Sequence, residues 1–192
     1  NNAPMVYIAN HPTNAITFNT GTLNVTNGSG LRFINDDGTY NFNGTTTLNG
    51  GTAGVSIKDG SSGTFNFSSG TSITNPADTA FEIGGTSNNC TVNYNGSISQ
   101  HMNFSTIAIS NHTSGTVTFQ TGAINATNGN GLQFNEADGS YNFNGTTALN
   151  GGDAGVDILN SSAGTFSFSS NTSIANPSGT AFNVGGGSTA SI

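Results

Sequence analysis

The sequence predicts an all-β protein that folds as a right-handed parallel β-helix, with three short strands and about 25 residues in each coil. Three observations predict this fold. They are a long internal repeat, a shorter period of alternating apolar residues within it, and turn-forming dipeptides between the apolar segments. No stretch of the chain has the apolar periodicity of an amphipathic helix.

The first observation is a repeat of 101 residues. Residues 20–85 align with residues 121–186 without a gap, and roughly two-thirds of the positions are identical. The segment TYNFNGTTTLNGGTAGVSI at 39–57, for example, corresponds to SYNFNGTTALNGGDAGVDI at 140–158. We therefore interpret residues 1–192 as a single solenoid segment with units at approximately 1–101 and 102–192, the second truncated. The expected context is a longer solenoid.

The second observation is that apolar residues alternate in triplets whose starts are 24 to 27 residues apart. Alternation with a period of two places these side chains on one face of a strand. Each coil contains a first triplet, then a single aliphatic residue, then a second triplet, which predicts three strands. The first triplets are Ile16/Phe18, Tyr40/Phe42, Phe65/Phe67, Val92/Tyr94, Val117/Phe119, Tyr141/Phe143 and Phe166/Phe168. The single aliphatic residues are Leu23, Leu48, Ile73, Ile98, Ile124, Leu149 and Ile174. The second triplets are Val6/Ile8, Leu31/Phe33, Val55/Ile57, Phe81/Ile83, Ile107/Ile109, Leu132/Phe134, Val156/Ile158 and Phe182/Val184.

The third observation is the chemistry of the corners. The dipeptides Asn27-Gly28, Asp37-Gly38, Asn43-Gly44 and Asn49-Gly50 tolerate left-handed backbone conformations. The corners vary in length while the strands do not, which favours a right-handed coil over the tight hexapeptide repeats of left-handed β-helices. Coils stacked about 4.8 Å apart would form a rod on the order of 35 Å long.

The composition excludes several classes of partner. Arg32 and Lys58 are the only cations against nine carboxylates, giving a net charge of -7. Nucleic-acid binding requires clustered basic residues, so we expect no nucleic-acid partner. No apolar run approaches the roughly 20 residues of a transmembrane helix, so we expect no membrane insertion. Cys90 is the only cysteine, which excludes an internal disulfide.

Carboxylate spacing argues against catalysis. Glycoside hydrolysis requires two carboxyl groups about 5 to 9.5 Å apart. Glu82 and Asp157 point outward from the same face, but three coils apart, on the order of 14 Å. Arg32, Lys58 and Glu82 fall on neighbouring coils of one face and could form a small charged site, although separate solvated charges are the favoured interpretation. We expect no enzyme activity, no catalytic residue, no cofactor and no metal.

Two further groups of residues were candidates for metal binding. The acidic corners 36–38 and 136–139 could hold a weak calcium ion, but they supply few oxygen ligands, and ordinary turns are favoured. His11 and His112 are equivalent in the repeat and lie four coils apart, with His101 on an intervening coil. We expect all three histidines at the surface.

One predicted outward face is unusually regular in Thr, Asn and Ser. Stacked hydroxyl and amide groups can hydrogen-bond from coil to coil, which predicts a structural ladder. The alternative is an ice-binding face, although such faces show ranks of Thr-x-Thr where this chain has Asn in the middle column. The face comprises Thr39/Asn41/Asn43, Thr64/Asn66/Ser68, Thr91/Asn93/Asn95, Thr116/Thr118/Gln120, Ser140/Asn142/Asn144 and Thr165/Ser167/Ser169.

The repeated pattern Gly-Thr-aromatic-x-Phe, then an aliphatic residue, then Gly-apolar-x-apolar resembles the passenger repeats of bacterial autotransporter and two-partner-secretion adhesins. The resemblance covers nearly the whole chain and transfers no functional residue. It implies secretion, an extracellular position at the cell surface, scarce cysteine and a stalk or adhesive role. Host or surface glycans are a candidate class of partner for such a rod.

We therefore expect a structural or adhesive rod, with copies of itself or further solenoid repeats at either end. The first alternative is a self-assembling extracellular filament or sheath subunit that stacks through uncapped ends. An ice-binding solenoid and a carbohydrate-active β-helix are further alternatives. A fold-level analogy of this kind is associational, so each alternative needs its own test.

Overall fold

The computed structural model describes residues 3–52, 54–153 and 155–192, which form three parallel β-sheets stacked into a solenoid of about seven turns. These residues form 22 short strands and no helix. The predicted all-β class, the three strands per coil and the coil length of about 25 residues are confirmed. The right-handed sense of the coil stays a prediction. Within these ranges no helix could span a membrane.

Each sheet contains every third strand of the chain, so consecutive strands lie on different sides of the solenoid. Sheet A consists of β1 (Val6–Ala9), β4 (Leu31–Ile34), β7 (Val55–Lys58), β10 (Phe81–Gly84), β13 (Ile107–His112), β16 (Leu132–Ala137), β19 (Val156–Leu159) and β22 (Phe182–Val184). Sheet B consists of β2 (Ala15–Phe18), β5 (Thr39–Phe42), β8 (Thr64–Phe67), β11 (Thr91–Tyr94), β14 (Thr116–Phe119), β17 (Ser140–Phe143) and β20 (Thr165–Phe168). Sheet C consists of β3 (Thr22–Thr26), β6 (Thr45–Asn49), β9 (Thr71–Thr74), β12 (Ser97–Gln100), β15 (Ile124–Ala126), β18 (Thr147–Asn150) and β21 (Thr172–Ala175).

The register of sheet A follows the long repeat. Val6, Leu31, Val55, Phe81 and Ile107 are successive partners along the sheet. The first and last of these residues are separated by four coils and by one full repeat of 101 residues. Equivalent residues of the two units therefore occupy equivalent places in the solenoid.

Aromatic rings fill the interior and connect the coils. Phe42 is fully buried, and its ring stacks on that of Phe18 at 4.8 Å and on that of Phe67 at 5.1 Å between centroids. Phe33 enters from sheet A and meets the ring of Phe65 edge-on at 4.9 Å. Offset-stacked and edge-to-face pairs are the favourable arrangements of aromatic rings. The predicted inward columns of sheets A and B are therefore a continuous apolar core.

Sheet C differs from the predicted single column of aliphatic residues. Leu48 pairs with Val25, and Leu23 lies opposite Thr46. β3 and β6 begin in register, with Thr22 opposite Thr45, but Leu23 is the second residue of β3 whereas Leu48 is the fourth residue of β6. Both Leu23 and Val25 still point inward because they are two residues apart. The same offset recurs in the second unit between β15 and β18.

The corner glycines have two different roles. Asn27 and Gly50 have positive φ angles of 61° and 66°, as expected for left-handed corners. Gly38 and Gly44 do not have positive φ angles, so this part of the prediction is wrong. A Cβ atom at Gly38 would lie 2.4 Å from the carbonyl oxygen of Asn14 on the preceding coil. Glycine is needed there because the coils approach closely, and not because of the backbone conformation.

Substitution of Phe67 by Asp tests the placement of the core. Phe67 is buried between the rings of Phe42 and Tyr94, so the carboxylate of Phe67→Asp would be buried without a partner. We expect an insoluble protein or the loss of the cooperative thermal transition. Phe104→Asp is the control, because Phe104 is exposed. A Phe67→Asp variant that melts like the wild type would contradict this core.

Some buried threonine hydroxyls have no hydrogen-bonding partner. The Oγ1 atoms of Thr71 and of its repeat equivalent Thr172 form no hydrogen bond with any described residue. Thr71 is also almost fully buried. A buried hydroxyl without a partner costs free energy because its hydration is lost and not replaced.

We expect Thr71→Val to stabilise the protein by about 1 kcal/mol, since valine has the same shape and no hydroxyl to desolvate. Ser61→Ala is the opposite control, because the Ser61 hydroxyl donates to Lys58 O and accepts from Asp36 N. It should destabilise by about 1–3 kcal/mol. The free energy of unfolding in denaturant measures both effects. A destabilised Thr71→Val variant would show that this hydroxyl is satisfied in solution.

Candidate functional site

A shallow groove on sheet A contains both cations of the protein. Arg32 lies on β4, Ser56 and Lys58 on β7, and Glu82 on β10. The register places Arg32, Ser56 and Glu82 in one outward column on three successive coils. Neighbours in such a column are about 4.8 Å apart along the rod axis. The groove has a volume of about 130 Å³ and is lined by Ser29, Arg32, Thr52, Ser56, Lys58, Asp78 and Glu82.

Glu82 organises one end of the groove. Its Oε1 atom lies 2.8 Å from Lys58 Nζ, and its Oε2 atom accepts a hydrogen bond of 3.3 Å from Ser56 Oγ. Both charged side chains are about 29% exposed, so water screens the pair and it contributes little to stability. The sequence placed these residues on neighbouring coils, and the structure brings them into contact. The interpretation as separate solvated charges is wrong for Lys58 and Glu82.

Arg32 differs from Lys58 in its surroundings. Among the described residues its guanidinium forms no ion pair, and the side chain is exposed. The groove wall beside it consists of hydroxyl groups, and Thr52 Oγ1 donates to Ser29 Oγ at 3.0 Å. Arg32 therefore presents its planar set of N–H donors to a polar groove.

An exposed aromatic ring lies next to this guanidinium in the register. Tyr7 on β1 is the sheet partner of Arg32 and precedes it in the same outward column. Its side chain is 58% exposed, the highest value among the large aromatic side chains of the described residues. A tyrosine in this position extends the polar groove by one flat apolar surface.

The second unit carries different side chains at the positions of the groove. Gln133, Asp157 and Asn183 occupy the positions of Arg32, Ser56 and Glu82. Gln133 Nε2 donates to Asp157 Oδ2 at 2.9 Å, and Asn183 Nδ2 donates to Asp157 Oδ1 at 3.0 Å. These three side chains satisfy one another. Every groove residue differs from its counterpart, and the counterparts are Asn130, Gln133, Asp153, Asp157, Leu159, Gly179 and Asn183.

The predicted distance between carboxylates is consistent with the observed register. Glu82 pairs with Ala108, which pairs with Gln133, which pairs with Asp157. The two carboxylates are therefore three coils apart, on the order of 14 Å, and cannot act on one glycosidic bond.

The outward face of sheet B carries the predicted hydrogen-bonded ladder. Asn41 Nδ2 donates to Thr17 Oγ1 at 3.1 Å, Asn66 Nδ2 to Asn41 Oδ1 at 2.8 Å, and Asn93 Nδ2 to Asn66 Oδ1 at 2.8 Å. Unlike the groove, this face is largely the same in both units, and Asn41 corresponds to Asn142. These amides are occupied with one another, which supports the structural interpretation of this face.

A buried polar column at the corner between sheets A and B was missed in the sequence. Asp36 is fully buried, and its carboxylate accepts hydrogen bonds from the backbone N–H groups of His11 (2.9 Å) and Ile34 (3.1 Å). Asp36 N donates to Ser61 Oγ, and Ser61 N donates to Asn88 Oδ1. These side chains satisfy the backbone amides where the chain turns between sheets. The available signal was a small polar residue two positions before a corner glycine, as in Asp36-Asp37-Gly38 and Ser61-Ser62-Gly63.

The acidic corner therefore uses its carboxylates within the fold. Burial raises the pKa of Asp36 above its usual value, although the two backbone hydrogen bonds oppose this shift. The exposed Asp37 accepts hydrogen bonds from the backbone N–H and the hydroxyl of Ser62. Both residues act as turn residues, as favoured from the sequence. In the described ranges no three His, Cys, Asp or Glu side chains come together as a metal site.

The expected surface position is wrong for His112. Its ring is fully buried because it packs beside Tyr141, with 5.6 Å between ring centroids. Its Nδ1 atom lies 2.9 Å from Tyr141 Oη, and its Nε2 atom lies 3.0 Å from the carbonyl oxygen of Cys90. A carbonyl only accepts, so Nε2 carries the proton and Nδ1 accepts from the tyrosine. Its equivalent His11 is half-buried against Tyr40, and His101 is exposed, as expected.

Comparison of the chain with family models, with curated proteins and with solved structures finds no match. The function is therefore argued from the geometry of the solenoid and of its groove. Two features are available for that argument. One is the continuous stack of coils, and the other is a surface groove whose described lining residues all differ between the two repeat units.

The buried imidazole of His112 predicts a loss of stability in acid. Burial lowers its pKa below the ordinary value of 6.5, and the carbonyl of Cys90 and the carboxylate of Asp138 oppose that shift only in part. The unfolded chain therefore binds the proton more readily. The stabilisation is fully present above the unfolded pKa and is lost as the pH falls through about 6.5 towards the folded pKa.

We expect the melting temperature to fall between about pH 7.5 and about pH 5.5, and to fall less in His112→Gln. Glutamine keeps one donor and one acceptor but does not titrate. Asp36 titrates in both proteins, so the difference between the two pH profiles isolates the histidine. Superimposable profiles would show that His112 does not control acid stability.

Proposed function

We propose that this chain is a structural and adhesive rod segment of a secreted bacterial cell-surface protein and has no catalytic role. The observation that carries the proposal is the uninterrupted stacking of three sheets, coil on coil, through about seven turns. In this arrangement the backbone hydrogen bonds run along the rod, and each coil buries its apolar side chains only against its neighbours. A solenoid becomes longer when further coils are stacked on it, and a stalk requires length of this kind.

The exterior supports a role outside the cell. Thr, Asn and Ser dominate the outward face of sheet B, and the chain has a net charge of -7 with few charges of either sign. Cys90 is fully buried, and burial raises the pKa of its thiol to about 12. Such a thiol is protected from oxidation, because the thiolate is the reactive form. The resemblance to bacterial passenger repeats points to the same location.

A self-assembling filament subunit is the second candidate, and the edges of sheet A favour it. β1 and β22 are the edge strands of this sheet, and the repeat makes β22 equivalent to β10 and β1 equivalent to β13. β10 and β13 pair directly within the chain. A second copy docked in that register would place Phe182 opposite Val6.

The rod proposal predicts that the chain is accessible on intact cells of the organism that makes it. Antibodies raised against the folded segment should label unpermeabilised cells, and external protease should remove the signal. A cytoplasmic protein of the same cells, which labels only after permeabilisation, is the control. Labelling of this chain only after permeabilisation would overturn the surface role.

Solution size separates the two candidates. A rod segment should sediment as a single species at all concentrations, with a length on the order of 35 Å for the described coils. A filament subunit should form fibres with the 4.7–4.8 Å repeat of stacked strands. Analytical ultracentrifugation over a wide concentration range, followed by fibre diffraction of any polymer, provides the comparison.

A further inference from the structure

We infer that the groove on sheet A binds an acidic sugar, with the sugar carboxylate on Arg32 and the ring hydroxyls on the groove walls. The inference names a ligand class for the adhesive part of the proposed function, and its biological meaning rests on that function. It depends on four observations: an unpaired guanidinium, walls of hydroxyl and carboxylate groups, an adjacent exposed ring, and the restriction of all three to one repeat unit.

The guanidinium of Arg32 is available for an anion. The only other cation, Lys58, is already paired with Glu82 at 2.8 Å. The planar N–H donors of arginine match a carboxylate in a bidentate arrangement. A more highly charged group such as a phosphate would be repelled by the carboxylates of Asp78 and Glu82 in the same groove. A single carboxylate is therefore the anion that the charge pattern favours.

The remaining walls suit sugar hydroxyls. Thr52 and Ser56 provide hydroxyl oxygens that accept hydrogen bonds, since their protons are already donated to Ser29 and Glu82, and Asp78 provides carboxylate oxygens that accept. One of the Asp78 oxygens, Oδ1, accepts the backbone N–H of Thr79 at 2.8 Å. The described residues that line the groove include no aliphatic or aromatic residue that would favour an apolar ligand. Successive coils repeat at about 4.8 Å, so the three coils of the groove span on the order of 10 Å, about the length of two pyranose rings.

Tyr7 completes the site at the end nearest Arg32. It is the sheet partner of Arg32, and more than half of its side chain is exposed. A flat aromatic surface can cover the C–H face of a pyranose while the polar tip stays in water. The counterpart of Tyr7 in the second unit is Ala108, so the ring is absent there.

The internal repeat provides a comparison within one chain. Roughly two-thirds of the aligned positions are identical, yet every groove residue differs between the units. The stacked face of sheet B keeps identical residues at Asn41 and Asn142, and also at Thr64 and Thr165. The two units therefore share most of the sheet B face, although Asn66 corresponds to Ser167, and they differ at all described groove residues. A charged and open surface in the first unit corresponds to a mutually hydrogen-bonded surface in the second.

The test compares two sugars that differ only at one carbon. Methyl β-glucuronide carries a carboxylate where methyl β-glucoside carries a hydroxymethyl group. Titration of each sugar into the ¹⁵N-labelled protein, followed by chemical-shift changes, gives the affinity and locates the site. We expect the glucuronide to bind about tenfold more tightly, with shifts at residues of the groove.

Arg32→Gln is the decisive variant, because the second unit already carries glutamine at this position and folds in the same way. It should reduce glucuronide affinity to that of the glucoside while the melting temperature is unchanged. Gln133→Ala is the matched control outside the groove, and its glucuronide affinity should equal that of the wild type. Retained affinity in Arg32→Gln would overturn the assignment of the carboxylate.

Other outcomes are equally decisive. Equal binding of both sugars would remove the role of the carboxylate, and acetate that binds as tightly as the glucuronide would reduce the groove to an anion site. The absence of saturable binding at high millimolar concentration would overturn the inference altogether. None of these results changes the labelling of intact cells. The sugar-binding inference and the proposed surface role can therefore be contradicted independently.

Discussion

The fold depends on the parallel register of neighbouring coils. Each inward side chain lies directly above its equivalent on the previous coil, and the spacing of about 4.8 Å leaves room only for side chains that stack well. The pair of rings formed by Phe42 and Phe67, 5.1 Å apart and nearly parallel, shows how the constraint is met. A one-residue slip in a strand would exchange its inward and outward sides, so length variation is confined to the corners.

The corners meet this constraint in two ways. At some positions a glycine is required because a Cβ atom would overlap a carbonyl oxygen of the preceding coil, as at Gly38. At others a buried polar side chain accepts or donates the hydrogen bond that the turning backbone would otherwise lack, as Asp36 and Ser61 do. Both solutions act between adjacent coils. The corner between sheets A and B is therefore part of the core, although its sequence is polar.

Period-two alternation made the fold class, the three sheets and most inward residues predictable, because it is a direct consequence of strand geometry. The register of sheet C was not predictable in full. A single aliphatic residue per coil was expected, but β3 has two inward aliphatic residues, Leu23 and Val25, and it is Val25 that pairs with Leu48. The burial of His112 was also missed, since its partner Tyr141 lies 29 positions away and a lone histidine carries no periodic signal.

The groove was predictable only in part. The sequence placed its charges on one face, but the pairing of Lys58 with Glu82 and the lack of an ion pair at Arg32 required coordinates.

The asparagine side chains that form hydrogen bonds from coil to coil also have a common direction. In the ladder of sheet B, Asn41, Asn66 and Asn93 each donate to the coil that precedes them in the chain. The same direction holds between Asn35 and Asn10 at a corner and between Asn160 and Asn135 five coils later. Aligned amide dipoles add along the axis, as peptide dipoles do in a helix. The two ends of such a ladder are chemically different, with unused carbonyl oxygens towards one end only. Further coils can therefore join the ladder only with the same polarity. A junction between two C-terminal ends would place the unused carbonyl oxygens of one ladder against those of the other.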